Sequence, residues 1–175
     1  MRKVLLLILL LLLLIYGASC ERDDICVEGD TPLLVIGFFN ADDTLNFKAV
    51  PAFRLRALDN DAVLNDNALY GFSDRATEND SIRVPLRIAA NTTSFEFIMN
   101  SADDGTTGEE TGTIDTLNLS YVVNSEFISR ACGFIANYNE LQIDQVANAS
   151  SWIQDISIVT TDIERTNQIH VKIFH

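Results

Sequence analysis

Acidic side chains are the most abundant chemically active groups in this sequence. The 175 residues include 25 Asp and Glu but only 12 Lys and Arg and two histidines. Paired carboxylates can hydrolyse glycosidic bonds, and the acidic pairs Asp42-Asp43, Asp103-Asp104 and Glu109-Glu110 supply the groups for that chemistry. These acids lie in turn-rich segments, where carboxylates are usually solvated. A glycan-active hydrolase is therefore an alternative function and not the first expectation.

The two histidines, His170 and His175, lack the partners that metal or nucleophilic chemistry requires. Their odd separation places them on opposite faces of an extended chain. A zinc site would need further ligands, and no Gly-x-Ser-x-Gly nucleophile motif occurs. The sequence predicts no catalytic residue and no cofactor.

One loop is rich in the oxygen ligands that calcium prefers. Asp59-Asn60-Asp61 is followed by Asn65-Asp66-Asn67, and hard cations bind carboxylate and amide oxygens. The pattern departs from an EF-hand, because Val63 stands where an oxygen ligand belongs and no glycine follows. Asp59, Asp61 and Asp66 are the candidate ligands, and a calcium-stabilised surface module is a second alternative.

Four arginines lie on the predicted outer faces of strands: Arg54, Arg56, Arg83 and Arg87. Cross-strand pairing with acids is the favoured interpretation, and a basic stripe that holds an anionic partner is the other. Four aromatic residues could stack on a ligand or fill the core: Tyr70, Tyr121, Tyr138 and Trp152. Single tryptophans in sandwiches usually fill the core.

The amino terminus has the pattern of an export signal. Arg2 and Lys3 precede an unbroken apolar run over residues 4–15. Twelve helical residues extend about 18 Å, which is shorter than the roughly 30 Å hydrocarbon core of a bilayer. The segment therefore fits the core of a cleaved signal peptide, predicted over residues 1–19.

The end of this segment, Gly17-Ala18-Ser19-Cys20, resembles a bacterial lipobox. In that motif a peptidase cuts before a cysteine whose sulfur carries a diacylglycerol. Ala18 and Ser19 match the small residues of the motif, whereas Gly17 replaces the usual leucine. Gly17 and Ser19 would also suit an ordinary signal peptidase. The resemblance implies a lipid anchor on Cys20.

The remaining cysteines, Cys26 and Cys132, are the natural disulfide pair once Cys20 is acylated. Two separate buried thiols are the alternative. Residues 20–30 form an acidic, lipid-anchored tether. Its stretch Glu21-Arg22-Asp23-Asp24 resembles the surface-export signal of Bacteroidota lipoproteins, and a solvated spacer is the other interpretation.

Three Asp-Ser/Thr-apolar triplets resemble O-glycosylation acceptors of Bacteroidota. Their acceptor residues are Thr44, Ser81 and Thr116.

Beyond residue 30 the apolar pattern has the period of two that is typical of strands. Ile82, Val84, Leu86 and Ile88 alternate with polar positions, and further apolar rows begin at Phe53, Phe95, Leu117 and Ile169. Residues 33–39 are apolar almost throughout, as in a strand covered on both sides. Further candidate strands are residues 134–138, 141–143 and 152–161.

About eight short strands separated by turns predict one antiparallel β-sandwich over residues 31–175, immunoglobulin-like in topology. A closed or partly open β-barrel is the alternative. Pro85 cannot donate a ladder hydrogen bond, so its strand is expected at an edge or a bulge.

Several short motifs resemble, in their order, a Bacteroidota lipoprotein family known only as a domain of unknown function. They are the lipobox-like start, Asp23-Asp24-Ile25-Cys26, Arg130-x-Cys132-Gly133-Phe134 and the ending Ile169-His170-Val171-x-Ile173-Phe174-His175. The resemblance implies a small β-rich lipoprotein and no known activity.

The formal net charge of −13 argues against a nucleic-acid partner, because phosphates would be repelled. The sequence as a whole predicts a non-enzymatic binding or structural protein with an unknown envelope protein or glycan as its partner. We expect it to be anchored at the outer membrane and exposed on the cell surface, with the periplasmic face as the alternative.

Overall fold

The structure is a computed structural model that describes residues 31–130, 132–164 and 167–175. The predicted signal peptide and tether, with Cys20 and Cys26, lie outside these residues. Within them the chain forms eight strands and one short helix, in the order β1 (Leu34–Phe39), β2 (Arg54–Ala57), α1 (Asn67–Tyr70), β3 (Ser81–Val84), β4 (Thr92–Met99), β5 (Thr113–Ser129), β6 (Gly133–Gln145), β7 (Asp155–Ile158) and β8 (Val171–Phe174). No helix among the described residues has the length and apolar content that crossing a membrane requires.

The strands form two four-stranded sheets. The first has the order β3-β1-β8-β7, in which β1 and β8 are parallel and the other pairs are antiparallel. The second has the order β2-β4-β5-β6 and is antiparallel throughout. The two sheets pack together without closing into a barrel over the described residues, so the predicted β-sandwich is confirmed.

The strand order differs from that of immunoglobulin domains. There the first, second, fourth and fifth strands share one sheet, whereas here the first strand pairs with the third and the last. Alternation in the sequence indicates which face of a strand is buried. It does not indicate which strand is the neighbour, so the connectivity was not accessible from the pattern.

Alternating apolar residues build the core as the sequence predicts. Leu34, Ile36 and Phe38 of β1 are fully buried, and they face rows from both sheets in one continuous apolar cluster. Ile88 is an exception at 64% exposure, because β3 ends at Val84 and a turn begins at Ile88. Pro85 follows the last residue of an edge strand, which confirms its predicted place.

The outer face of β1 is also covered, as its apolar sequence predicts. Phe47 stacks on Phe39 with ring centroids 4.4 Å apart. A Cβ atom at Gly37 would lie 2.9 Å from the ring of Phe39 and 3.0 Å from Ile169. A larger residue at this position would therefore have to displace the side chains of Phe39 and Ile169.

The β5–β6 hairpin is longer than predicted. Residues 134–138 and 141–143, expected as two strands, belong to the single strand β6. The register shifts between Ser120 and Val122, opposite Glu140, whose φ of 57° marks the irregularity. β5 also continues to Ser129, past the last buried residue. Pairing with β6, and not burial, sustains this part of the strand, so apolar alternation could not reveal it.

The strand predicted over residues 152–161 is shorter in the structure and covers only β7, because its first two residues bind a side chain of the other sheet. Trp152 and Ile153 precede β7, and their amides donate to one carboxylate oxygen of Asp115 at 2.8 and 2.9 Å. The indole Nε1 of Trp152 donates to the carbonyl of Phe97 at 3.0 Å. Asp115 on β5 is fully buried. This contact, which we call the Asp115 clip, joins the second sheet to the segment that enters the first.

We expect Asp115→Ala to lower the free energy of unfolding by on the order of 3 kcal/mol, because two buried amides lose their acceptor. Asp115→Asn keeps one acceptor oxygen and should lose less. Asp155→Ala, at an exposed position of β7, is the matched control and should stay within about 0.5 kcal/mol of the wild type. Urea denaturation measures all three. Equal stability of the Asp115→Ala and Asp155→Ala variants would contradict the clip.

Candidate binding surface

Arg54 and Arg56 on β2 are engaged in ion pairs on the outer face of the second sheet. Nε and Nη2 of Arg54 donate to the two carboxylate oxygens of Asp74 at 2.9 and 2.7 Å, and Nη1 donates to Glu110 at 3.1 Å. Arg56 pairs with Glu96, directly opposite on β4. The hydrogen bond to Asp74 raises the pKa of Arg54. The predicted pairing of outer arginines with acids is confirmed for these two.

Several turn acids are held in their ionised form. Burial alone would raise the pKa of Glu110, but the amide of Gly112 and neighbouring donors outweigh it, so the pKa lies below its usual range. Arg75 lowers the pKa of Asp103, and amides of its own turn lower that of Asp104. A glycosidase general acid needs a raised pKa. Glu110, Asp103 and Asp104 therefore lack the raised pKa that the hydrolase alternative needs.

Arg83 and Arg87 have a different environment. Both side chains are exposed, while the intervening Val84 and Leu86 are buried. No carboxylate of the described residues lies within 4.0 Å of the Arg83 guanidinium, and Arg87 Nε lies 3.6 Å from Asp59 at a half-exposed site. Four residues of extended chain separate the two side chains by on the order of 13 Å. They are two cations on the same edge of an acidic protein.

Each of these arginines lines one groove. The Arg83 groove has a volume of about 340 Å³ and is lined by Phe47, Asn167 and Gln168 among others. The Arg87 groove has a volume of about 420 Å³ and is lined by apolar Leu64 and Leu86 and by polar residues that include Asp59, Asn60 and Asn65. Both lie within the size range of small-ligand sites.

Tyr70 lines both grooves and lies between them. We call the two grooves together with this ring the Tyr70 surface. It combines residues from β1, β2, α1, β3 and β4 with residues from the loops between these elements and from the loop before β8. Phe47, Asn167 and Gln168 carry no sequence signal for such a role, because only the fold brings them beside Arg83.

The short helix α1 fixes the position of Tyr70. Asp66 caps its amino terminus by accepting from the amides of Ala68 and Leu69 at 2.9 and 3.1 Å. Gly71 ends it in the left-handed conformation, with φ 78°. Asp66 thus holds a helix end, while Asp59 faces Arg87. The structure does not bring the calcium candidates Asp59, Asp61 and Asp66 together, and no cluster of three metal-ligating side chains occurs among the described residues.

Two buried tyrosines support the wall of the Arg87 groove. The hydroxyl of Tyr138 donates to the carbonyl of Leu86 at 3.0 Å. The hydroxyl of Tyr121 accepts from the amide of Arg87 at 2.9 Å and lies 2.5 Å from Thr93 Oγ1. Burial raises the pKa of both, that of Tyr138 to about 12, so both stay protonated. Tyr121, Tyr138 and Trp152 are core residues, and Tyr70 alone of the four predicted aromatic candidates lines the surface.

A family model described as a family of unknown function, DUF6452, matches residues 53–175. The chain belongs to this family. The match covers β2 to β8 and most of the Tyr70 surface, and it confirms the expected membership of a family without known activity. No curated protein and no solved structure matches the chain.

The two histidines of this DUF6452 domain are buried at the two ends of β8 and bind backbone atoms. His170 Nδ1 accepts from the amide of Val35 at 2.9 Å. His175 Nε2 lies 3.0 Å from the carbonyl of Lys48, so this nitrogen carries the proton. His170 thus joins the start of β8 to β1, and His175 joins the end of β8 to the loop after β1.

The other predicted site residues are dispersed. Cys132 lies at the turn of the β5–β6 hairpin, where its amide donates to Ser129 Oγ at 3.0 Å; its pairing with Cys26 stays a prediction. Thr44 is exposed in the loop after β1, whereas Ser81 and Thr116 are half-buried within strands. The acid of the Asp115-Thr116-Leu117 triplet is the buried residue of the Asp115 clip.

The stability of the DUF6452 domain should fall between pH 7 and pH 5 because of His175. Burial lowers the pKa of His175. The hydrogen bond to the carbonyl of Lys48 opposes this shift in part, and the positive charge of Lys48 adds a smaller lowering. A lowered histidine pKa favours the neutral folded form, so its contribution is complete above the unfolded value of about 6.5 and is lost as the pH falls. Carboxylates with a lowered pKa lose their contribution to stability only below about pH 4.5. We therefore expect the free energy of unfolding, measured by urea titration at a series of pH values, to fall more steeply for the wild type than for His175→Gln between pH 7 and pH 5. The same pH dependence in both proteins would contradict the assignment.

Proposed function

We propose that the chain is a non-enzymatic lipoprotein of the Bacteroidota outer membrane, anchored through Cys20 and exposed on the cell surface, where the Tyr70 surface binds an anionic glycan of the envelope. The observation that supports the binding role is the placement of Arg83 and Arg87 in two grooves on either side of Tyr70. The formal charge of the protein is −13. Two accessible guanidinium groups on one edge therefore give this edge a positive charge that contrasts with the negative charge of the protein as a whole.

The chemistry of the Tyr70 surface suits a charged sugar chain. Amide side chains such as Asn65 and Gln168 can donate to and accept from hydroxyl groups. The ring of Tyr70 offers an apolar face with a polar tip. Guanidinium groups bind carboxylates with two parallel hydrogen bonds. Sugar units that carry carboxylates match all three kinds of group, and neutral sugars match only two.

Releasing the arginines for a ligand costs little. Arg87 and Asp59 expose 48% and 37% of their side chains, and such solvated pairs contribute at most about 1 kcal/mol. The groove wall beneath Arg87 is already held by Tyr121 and Tyr138. A ligand would therefore bind to a preformed surface and would order few additional groups.

Binding should be measured by calorimetry with the full-length lipidated protein in nanodiscs, with oligogalacturonate as the acidic probe and maltooligosaccharide as the neutral one. We expect only the acidic probe to bind, more weakly at high salt. Arg83→Ala and Arg87→Ala should each weaken binding about tenfold, the equivalent of one lost charged hydrogen bond. Arg75→Ala removes the same charge from a site that lines neither groove, where Arg75 pairs with Asp103, and should have no effect. Equal binding of both probes, or an equal loss with Arg75→Ala, would contradict the proposal.

The anchor is tested separately by the intact mass of the mature protein purified from membranes. We expect cleavage before Cys20 and the added mass of a diacylglycerol and an acyl chain, because several buried acyl chains give stable anchoring. Cys20→Ala should abolish the added mass and leave the leader attached, because the peptidase of that motif cuts before a lipidated cysteine. A mature protein that begins at residue 20 and carries no lipid would exclude the anchor. The same spectrum shows whether Cys26 and Cys132 have lost two hydrogens to a disulfide.

A further inference from the structure

The β5–β6 hairpin extends beyond the core of the sandwich. On its core-facing side Tyr138 is fully buried and Ala136 is 6% exposed, but Phe134 is 72% exposed. Phe127, directly opposite on β5, is 56% exposed, and its ring centroid lies 5.3 Å from that of Phe134. The hairpin thus carries two aromatic rings past the point where other strands could cover them.

The end of this hairpin is apolar on both faces. We define the hairpin tip as residues 127–130 and 132–135. Ile128 and Ile135 lie on the face opposite the two phenylalanines and are partly exposed. The tip contains no acidic residue, and Arg130 is its one charge. A patch of this kind is unusual on a surface whose formal charge is strongly negative, and exposed apolar patches mark interaction sites.

The described chain starts beside this tip. Thr31 Oγ1 accepts from the amide of Ala136 at 3.3 Å, two residues from Phe134. Thr31 lies eleven positions after Cys20, and an extended chain of that length spans at most about 40 Å. The predicted disulfide would join the tip to Cys26, six positions after Cys20, and this distance is at most about 22 Å. A membrane that holds Cys20 is therefore within reach of the tip.

We infer that the hairpin tip inserts into the surface of the bilayer that holds the lipid anchor. The inference rests on the anchor of the proposed function. Phenylalanine and isoleucine gain free energy by leaving water for the acyl boundary, and Arg130 suits the headgroup layer. The acidic body stays in solution. Two contacts with the membrane, the acyl chains and the tip, would fix the orientation of the sandwich.

The test uses full-length acylated protein in phosphatidylcholine vesicles with and without brominated acyl chains, which quench tryptophan. Trp152 is 6% exposed and supplies a constant background. Phe134→Trp introduces a reporter at the tip. Leu45→Trp is the matched control, because Leu45 is 86% exposed in the loop after β1, and β1 runs away from Thr31. We expect a blue-shifted emission and several-fold greater quenching for Phe134→Trp than for Leu45→Trp. Phe127→Trp provides a second reporter should the first variant fail to fold.

Flotation of the vesicles separates the two proposals. If the protein floats but tip tryptophans are quenched no more than Leu45→Trp, the insertion is wrong and the anchor stands. An unquenched tip in a protein that dimerises would assign the patch to a second copy and would also overturn the insertion. Protein that does not float would reject the anchor together with the insertion that depends on it.

Discussion

The buried carboxylate of Asp115 is the contact on which the arrangement of the two sheets depends. It lies on β5 in the second sheet and accepts from the amides of Trp152 and Ile153, the residues that lead the chain into β7 of the first sheet. A buried carboxylate is costly unless hydrogen bonds satisfy it. The two amides satisfy it, and the indole of the same Trp152 donates to Phe97 on β4, so the clip joins the second sheet to the segment that enters the first.

This scaffold determines where the Tyr70 surface can form. The segment after β3 leaves the edge of the first sheet and is held by Tyr138 and Tyr121, which belong to the second sheet. The wall that carries Arg87 therefore depends on both sheets at once. Arg83 lies on the edge strand itself, where Pro85 prevents the strand from continuing. The separation of the two arginines follows from the fold and not from flexible loops.

The sequence predicted the strands whose faces are buried and missed features that depend on other parts of the chain. Alternation identified the rows that begin at Leu34, Ile82 and Phe95, because burial imposes a period of two on the sequence. It suggested a strand at Trp152, because a short apolar run looks the same in a strand and in a clip. Asp115 was assigned to a triplet that resembles a glycosylation acceptor at Thr116, since the sequence does not show that the side chain of Asp115 is buried. The Tyr70 surface could not be predicted, because tertiary packing assembles it from distant segments.

Native-state hydrogen exchange at the backbone amide of Arg87 tests the central claim most directly, since this amide donates to the side-chain hydroxyls of Tyr121 and Thr93 and not to the backbone of a neighbouring strand. If the two sheets jointly preform the Tyr70 surface, this amide should exchange with an opening free energy within about 1 kcal/mol of global unfolding, as core amides do. Exchange as fast as that of the amides in the exposed loop after β1 would show that the wall opens on its own, and would contradict the account.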